Sequence, residues 1–200
     1  NIRITNDISS IKSEKFFLKN LFMLSLNIHN VISPHENLLN VNKLIKKKIS
    51  ILPNPVRRVN KSSIQLSCKN KNEDFRVLRF LAVGQLNFQK NHEFLIKTFE
   101  NLKIPKGYKV YLDIFGVGEE EENLKIKISK SFLVNNINLK GWNKSPWEKD
   151  RYIGHLLCSR WEGYPNVVVE ASSNFIATIA IPIPPCTTNI IKENNIGLVS

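Results

Sequence analysis

The sequence predicts an α/β protein in which a parallel sheet is wrapped by helices on both faces. Three observations predict it: near-continuous apolar runs that end in glycine, segments of 3.6-residue spacing between them, and a regular alternation of the two from residue 76 onward. "RVLRFLAVG", residues 76–84, is an apolar run closed by Gly84, as expected for a strand buried on both faces. "NHEFLIKTFENL" then brings Leu95, Phe99 and Leu102 to positions i, i+4 and i+7, with Asn91 in the N-cap place and Glu93 in the first turn. This predicts a helix. "YKVYLDIFG", residues 108–116, is a second strand, and "EEEENLKIKISKSF" returns to helical spacing through Leu124, Ile128 and Phe132. Shorter strands are expected at "INLKG", "HLLCS", "TIAI" and "GLVS".

The preceding chain is less regular. Residues 53–76 open on the proline-punctuated "PNPVRR" and continue through a polar stretch with little periodicity, the composition of a connector. Residues 14–51 carry apolar stretches that suggest helices and short strands, without the length for a core of their own.

At 200 residues the chain fits one complete domain, or one domain with part of another. Lys and Arg number 29 against 17 Asp and Glu, and the net charge of +12 favours anionic partners such as nucleotides, nucleic acid or acidic lipid headgroups. The basic residues are scattered rather than striped, which is also what a chain generally rich in lysine gives. Cys68, Cys158 and Cys186 form no CxxC pair, and His29, His35, His92 and His155 have no ligand spacing, so no metal site and a reducing, cytoplasmic setting are expected. The apolar runs fall far short of a membrane span. Asn1 is no initiator methionine and "NNIGLVS" reads like an unfinished strand, so both ends read as cut.

Two segments bear on chemistry. "FGVGEEEE" resembles a dinucleotide-binding turn only superficially, because GxGxxG needs a third glycine where Glu121 stands and four acids would repel a pyrophosphate. The acids instead suit their own helix N-terminus. In "RWEGYPNVVVEASSN", residues 160–174, Glu162 and Glu170 stand eight positions apart around a Gly-Tyr-Pro-Asn turn. With Pro165 at the first helical position, Glu162, Gly163 and Tyr164 form an approach loop, the N-H groups of Tyr164 to Val167 form an anion site, and Glu170 lies further along the helix. On periodicity alone the β-branched "NVVVE" also fits a strand with two solvated acids. In an open parallel sheet, the loops after "LAVG", "LKG" and "LLCS" are the candidate walls of a ligand site.

"SRWEGYPNVVVEASSN" resembles the E-x7-E signature of the retaining, nucleotide-sugar-dependent glycosyltransferases of family 4, the glycosyl transferases group 1, which have the GT-B fold. "ILPNPV", "RFLAVGQLNFQKNHEFLIKTFENL" and "LDIFGVGEEEENLK" match other parts of that pattern in order, and "LKGWNKSPW" with "EGYPNVVVEA" is similar to its lipopolysaccharide hexosyltransferases. The resemblance covers about residues 30 to 200. It implies a Rossmann-like donor-binding domain over residues 58–200, truncated at its C-terminus, after the tail of an acceptor domain and linker over residues 1–57. It further implies that Glu170 binds ribose hydroxyls, that Glu162 faces the donor sugar, and that Lys90 with the Tyr164–Val167 amides offsets charge on the departing diphosphate. Gly84, Gln85, Gly163, Pro165 and Asn166 would line the same site, and Gly141 and Trp142 would lie near the nucleobase. Without the resemblance, Lys90 reads as a solvated lysine.

The implied ligands are a nucleotide-sugar, UDP-linked by family custom, and a glycan or lipid-linked acceptor, with no required metal or cofactor. Peripheral contact with the anionic inner face of a membrane fits the charge. Nucleic acid does not fit, because the aromatics sit in apolar runs rather than alternating with arginines. The chain departs from the family pattern at Gln85, where the family has arginine, around Phe175 and Ala177, where it has glycine and proline, and at "IPIPPCTTN", where it has an acid and a glycine-rich turn. The segment from Gly141 to Ser159 is also several residues short. These departures motivate the alternative of a degenerate GT-B module kept for binding or assembly. Alone, such a donor half is expected to transfer little.

Overall fold

The computed structural model describes residues 2–3, 31–33, 49–52, 54–55, 76–183 and 186–200. Most of the connector, with Cys68, His29 and His35, lies outside the described residues. Strands β1 (Ile2–Arg3), β2 (Val31–Ser33) and β3 (Ile49–Ile51) pair in parallel as one small sheet in that order.

The larger sheet holds β4 (Val77–Val83), β5 (Lys109–Phe115), β6 (Ile137–Gly141), β7 (Gly154–Leu157), β8 (Thr178–Ala180) and β9 (Gly197–Val199). All are parallel, in the order β6-β5-β4-β7-β8-β9. Helices α1 (His92–Glu100) and α2 (Glu121–Ser129) connect the strands that step outward to β6, and α3 (Asn166–Ser173) and α4 (Thr187–Glu193) those that step outward to β9. Right-handed crossovers running in opposite directions put the two sets of helices on opposite faces. The packing agrees. Leu95, Ile96 and Phe99 of α1 and Leu124 and Ile128 of α2 pack with Ala82, Val110, Leu112 and Ile114, whereas Ala171 of α3 packs with Leu81 and Phe115. Adjacent strand residues thus serve opposite cores, and each fully buried leucine or isoleucine contributes about 2 kcal/mol.

The helical periodicity overshoots at both C-termini. Leu102 lies beyond α1 and is 45% exposed, and Phe132 lies beyond α2 and is 77% exposed, so neither joins the core face expected of it. On β5, buried Asp113 interrupts the apolar run. Its carboxylate accepts bonds from the Tyr152 hydroxyl and the Asn138 amide, each at 2.9 Å, which answers the cost of burying it.

"FGVG" owes its glycines to backbone packing. The loops after β4 and β5 continue side by side: the Gly84 N-H donates to Phe115 O at 3.0 Å and the Leu86 N-H to Val117 O at 3.0 Å. A Cβ on Gly116, at φ 151°, would stand 1.8 Å from Gly84 O, and one on Gly118 would stand 2.3 Å from Leu86 O. Gly116→Ala is therefore expected to cost about 3 kcal/mol or more by combined strain and overlap. Urea denaturation checks this, and a cost below about 1 kcal/mol would show that the loops part easily.

Candidate functional site

The strand order reverses between β4 and β7, so the loops beyond their carboxyl ends, residues 84–91 and 158–165, flank the crevice where open parallel sheets bind ligands. The two loops are stitched together. The Arg160 N-H donates to Gln89 O at 2.8 Å, Gln89 Nε2 to Trp161 O at 2.9 Å, Arg160 Nε to Phe88 O at 3.2 Å and Asn91 Nδ2 to Cys158 O at 3.2 Å. Asn91 does occupy the α1 N-cap position, but its backbone is left-handed and its side chain makes no cap bond. The amide is spent on the neighbouring loop instead.

This stitching sets Lys90 against Glu162. Lys90 Nζ lies 2.6 Å from Glu162 Oε1, and Ser159 Oγ donates to the same oxygen at 2.6 Å. The side chains are 16% and 7% exposed, so the attraction within the pair is little screened and removing either partner would strand a largely desolvated charge. From the opposite side, the Cys186 thiol ahead of α4 donates to Gly163 O at 2.7 Å. Burial pushes that thiol up to about 12, which keeps it a neutral donor.

"NVVVE" is helical, with Val168 and Ala171 buried beneath it. Pro165 stands at the N-cap and Asn166 begins the helix, one residue later than the sequence reading put it. Among the expected open amides, Asn166 N-H is already engaged by Tyr164 O at 2.9 Å in a tight turn. Asn166 Oδ1 accepts from Asn54 Nδ2 at 2.7 Å. Glu170 is half-buried on α3, and burial raises its carboxyl above the usual range, with the Trp147 side chain opposing that shift. The two acids of the signature therefore have different settings, one paired with a cation in a loop and the other half-buried on a helix.

The remaining sequence-predicted residues ring these. Gln85 is exposed, with its carbonyl oxygen 3.3 Å from Asn87 Nδ2. Gly84 abuts Lys90, whose methylenes lie 3.1 Å from where a Cβ would stand. Gly141 adopts φ 66° and its carbonyl accepts from the Gly116 N-H at 2.8 Å, and Trp142 is 71% exposed. Sequence reasoning missed Ser159 and Cys186, of which only Ser159 carried a local signal, lying three residues before Glu162. A cavity of about 180 Å³, lined by Asn87, His92, Glu120 and Arg160 among others, opens on the α1 and α2 side, but Lys90, Glu162 and Glu170 do not line it. Among the described residues, no group of three His, Cys, Asp or Glu side chains is arranged to hold a metal ion, and no helix is long and apolar enough to cross a membrane.

Two buried histidines lie under these loops. His155 Nδ1 is 3.1 Å from Thr178 Oγ1 and its Nε2 has no partner, nor has Nε2 of His92. Burial holds them down, His92 to about 4 and His155 to about 3, against an ordinary value near 6.5. Both are neutral in the fold and take protons more readily when unfolded. Their contribution is thus complete above about pH 6.5 and is lost as pH falls toward 4. The two together are expected to remove about 3 kcal/mol of stability between pH 6.5 and pH 5. Urea titrations at pH 7, 6 and 5 test this, and His155→Leu should flatten the dependence.

The profile of glycosyl transferases group 1 matches residues 67–200. The uncharacterized glycosyltransferase MJ1059 of Methanocaldococcus jannaschii is 33% identical over 140 residues, which is 66% of this chain and 33% of that protein. The amylovoran biosynthesis glycosyltransferase AmsD of Erwinia amylovora is 34% identical over 117 residues, 58% of this chain and 32% of AmsD. Among solved structures, Alr3699/HepE of Anabaena in complex with UDP has a TM-score of 0.71 at 16% identity, covering 99% of this chain and 57% of that one, so the fold is shared. The chain spans about a third of the length of the curated relatives it matches. With a matching profile across most of its length, on a sheet whose switch point carries the E-x7-E acids, the chain belongs to the family of glycosyl transferases group 1.

Proposed function

We propose that this chain is the donor-binding part of a retaining glycosyltransferase that takes its sugar from a nucleotide-sugar. The observation that carries the reading is the Lys90–Glu162 pair, which spans the switch-point crevice directly before α3. Lys90 is the one cationic residue of 84–91, and beside the α3 N-terminus it offsets the charge that develops on a departing diphosphate. Glu162 faces the donor sugar. Glu170 accepts bonds from the ribose hydroxyls, and Gly84, Gln85, Gly163, Tyr164, Pro165, Asn166 and Val167 line the phosphate path. Gly141 and Trp142 flank the base. The UDP complex of the Anabaena relative supports a uridine nucleotide.

Residues 1–57 belong, in this reading, to the acceptor side, and residues 58–200 to the donor side. The acceptor is a glycan or a lipid-linked glycan, as in polysaccharide and lipopolysaccharide assembly. The charge of +12 draws the protein to an anionic membrane at its cytoplasmic face. Vesicle co-sedimentation that ignores anionic lipid content would rule that contact out.

The test is chemical-shift mapping with UDP. Perturbations are expected at Gly84, Lys90, Gly163, Val167 and Glu170, and a saturable response elsewhere that spares all five would overturn the assignment. Once transfer is assayed with an acceptor, retention is read as an unchanged anomeric configuration between donor and first product.

A further inference from the structure

The cavity on the α1 and α2 side takes its walls from the carboxyl ends of three neighbouring strands, where ligands of open parallel sheets gather. Asn87 and Phe88 come from the loop after β4, Arg160 from the loop after β7, and Glu120 and Asn123 from the start of α2 after β5, while Glu93 belongs to the first turn of α1. His92 and Leu124, both buried, close it from below. Its volume of about 180 Å³ is less than the roughly 300 Å³ at which drug-sized ligands begin, so it suits a single ring and not a nucleotide. The aromatic wall is held in place. Arg160 Nε donates to Phe88 O at 3.2 Å and the guanidinium lies 4.1 Å from the Phe88 ring centroid, yet Phe88 stays 60% exposed. Trp161, 49% exposed, stands 6.1 Å from that ring and carries the aromatic surface toward Glu162 and the crevice.

The polar groups define the chemistry of the occupant. Glu93 Oε1 accepts from Lys127 Nζ at 2.9 Å and Glu120 Oε2 from Asn123 Nδ2 at 2.9 Å, which leaves each carboxylate a second oxygen for hydroxyl groups. Arg160 uses its Nε on the loop, and its terminal nitrogens remain as donors. Two carboxylates in the wall oppose an anionic ligand such as a phosphate, and the guanidinium opposes a cation. Planar acceptors and donors around an open aromatic face match a ring with hydroxyls at its edge and C-H groups on its faces. We propose that this cavity is a binding subsite for one neutral sugar ring of a glycan. It gives the saccharide a place on the far side of the same stitched loops that carry Lys90 and Glu162, and it does not depend on the donor-site reading.

Nitrogen-15 shift mapping of this chain with methyl α-glucopyranoside, methyl α-galactopyranoside and N-acetylglucosamine tests it. At least one of them is expected to saturate with a Kd of about 1 to 30 mM and to move Asn87, Phe88, Asn123 and Arg160. Glucuronate, whose charge Glu93 and Glu120 repel, should bind about 5-fold more weakly than the glucoside. Phe88→Leu, which removes the ring face, and Glu120→Gln, which removes a charged acceptor, should each weaken the bound sugar about 5-fold. No saturable response to any of the three at about 100 mM, a response that spares those four residues, or tighter binding of glucuronate overturns the subsite. These outcomes are read on the wild-type chain, so they decide even where a variant fails to fold. Folded variants that both bind like the wild type overturn it as well. Because no nucleotide enters the titration, its failure leaves the donor-site reading standing.

Discussion

Glu170→Ala is expected to weaken UDP binding about 100-fold while leaving the chain folded. Two charge-assisted hydrogen bonds to ribose hydroxyls, at about 1.5 kcal/mol each, amount to that factor. Little stability is lost with them, because burial already disfavours the Glu170 carboxylate. The same burial gives a pH dependence. The raised carboxyl protonates at a higher pH than an exposed one, so UDP affinity should decline as pH falls from 7, beginning earlier than a solvent carboxylate would dictate. Titrations of wild type and variant across that range check both statements, and a variant that binds like the wild type would remove Glu170 from the site.

Lys90→Ala is expected to act on stability as well as on binding. It leaves the Glu162 carboxylate, 7% exposed, with Ser159 but no cation. Breaking a buried pair from one side costs about 3 kcal/mol, which lowers Tm by about 10 °C in a chain of this size. Adding Glu162→Gln to Lys90→Ala should recover part of that loss, since the stranded charge is then gone, whereas neither variant restores affinity for a diphosphate. A Lys90→Ala chain as stable as the wild type would mean that the pair is too hydrated to hold the two loops.

The alternation of strand and helix was legible in the sequence because glycine-ended apolar runs and the spacing of Leu95, Phe99, Leu124 and Ile128 record burial directly. Periodicity carried past the helix ends at Leu102 and Phe132, where a matching residue type follows the helix by chance of spacing. Asn91 shows a different limit: a side chain suited to capping was taken by Cys158 O, 67 positions away, and no local rule anticipates that competition. The switch point depends on strand order, which the sequence does not write down; the family resemblance put Lys90 and Glu162 in one site, but their pairing across 72 positions appears only in the structure.

The account's central claim, a nucleoside diphosphate site at the β4–β7 switch point, is tested most directly by calorimetric titration of UDP and GDP into this chain, with circular dichroism establishing that it is folded. Saturable one-to-one binding of a nucleoside diphosphate, lost in Glu170→Ala, is the predicted result. A folded chain that takes up neither nucleotide at millimolar concentration would contradict it and favour a module that keeps the fold for binding or assembly alone.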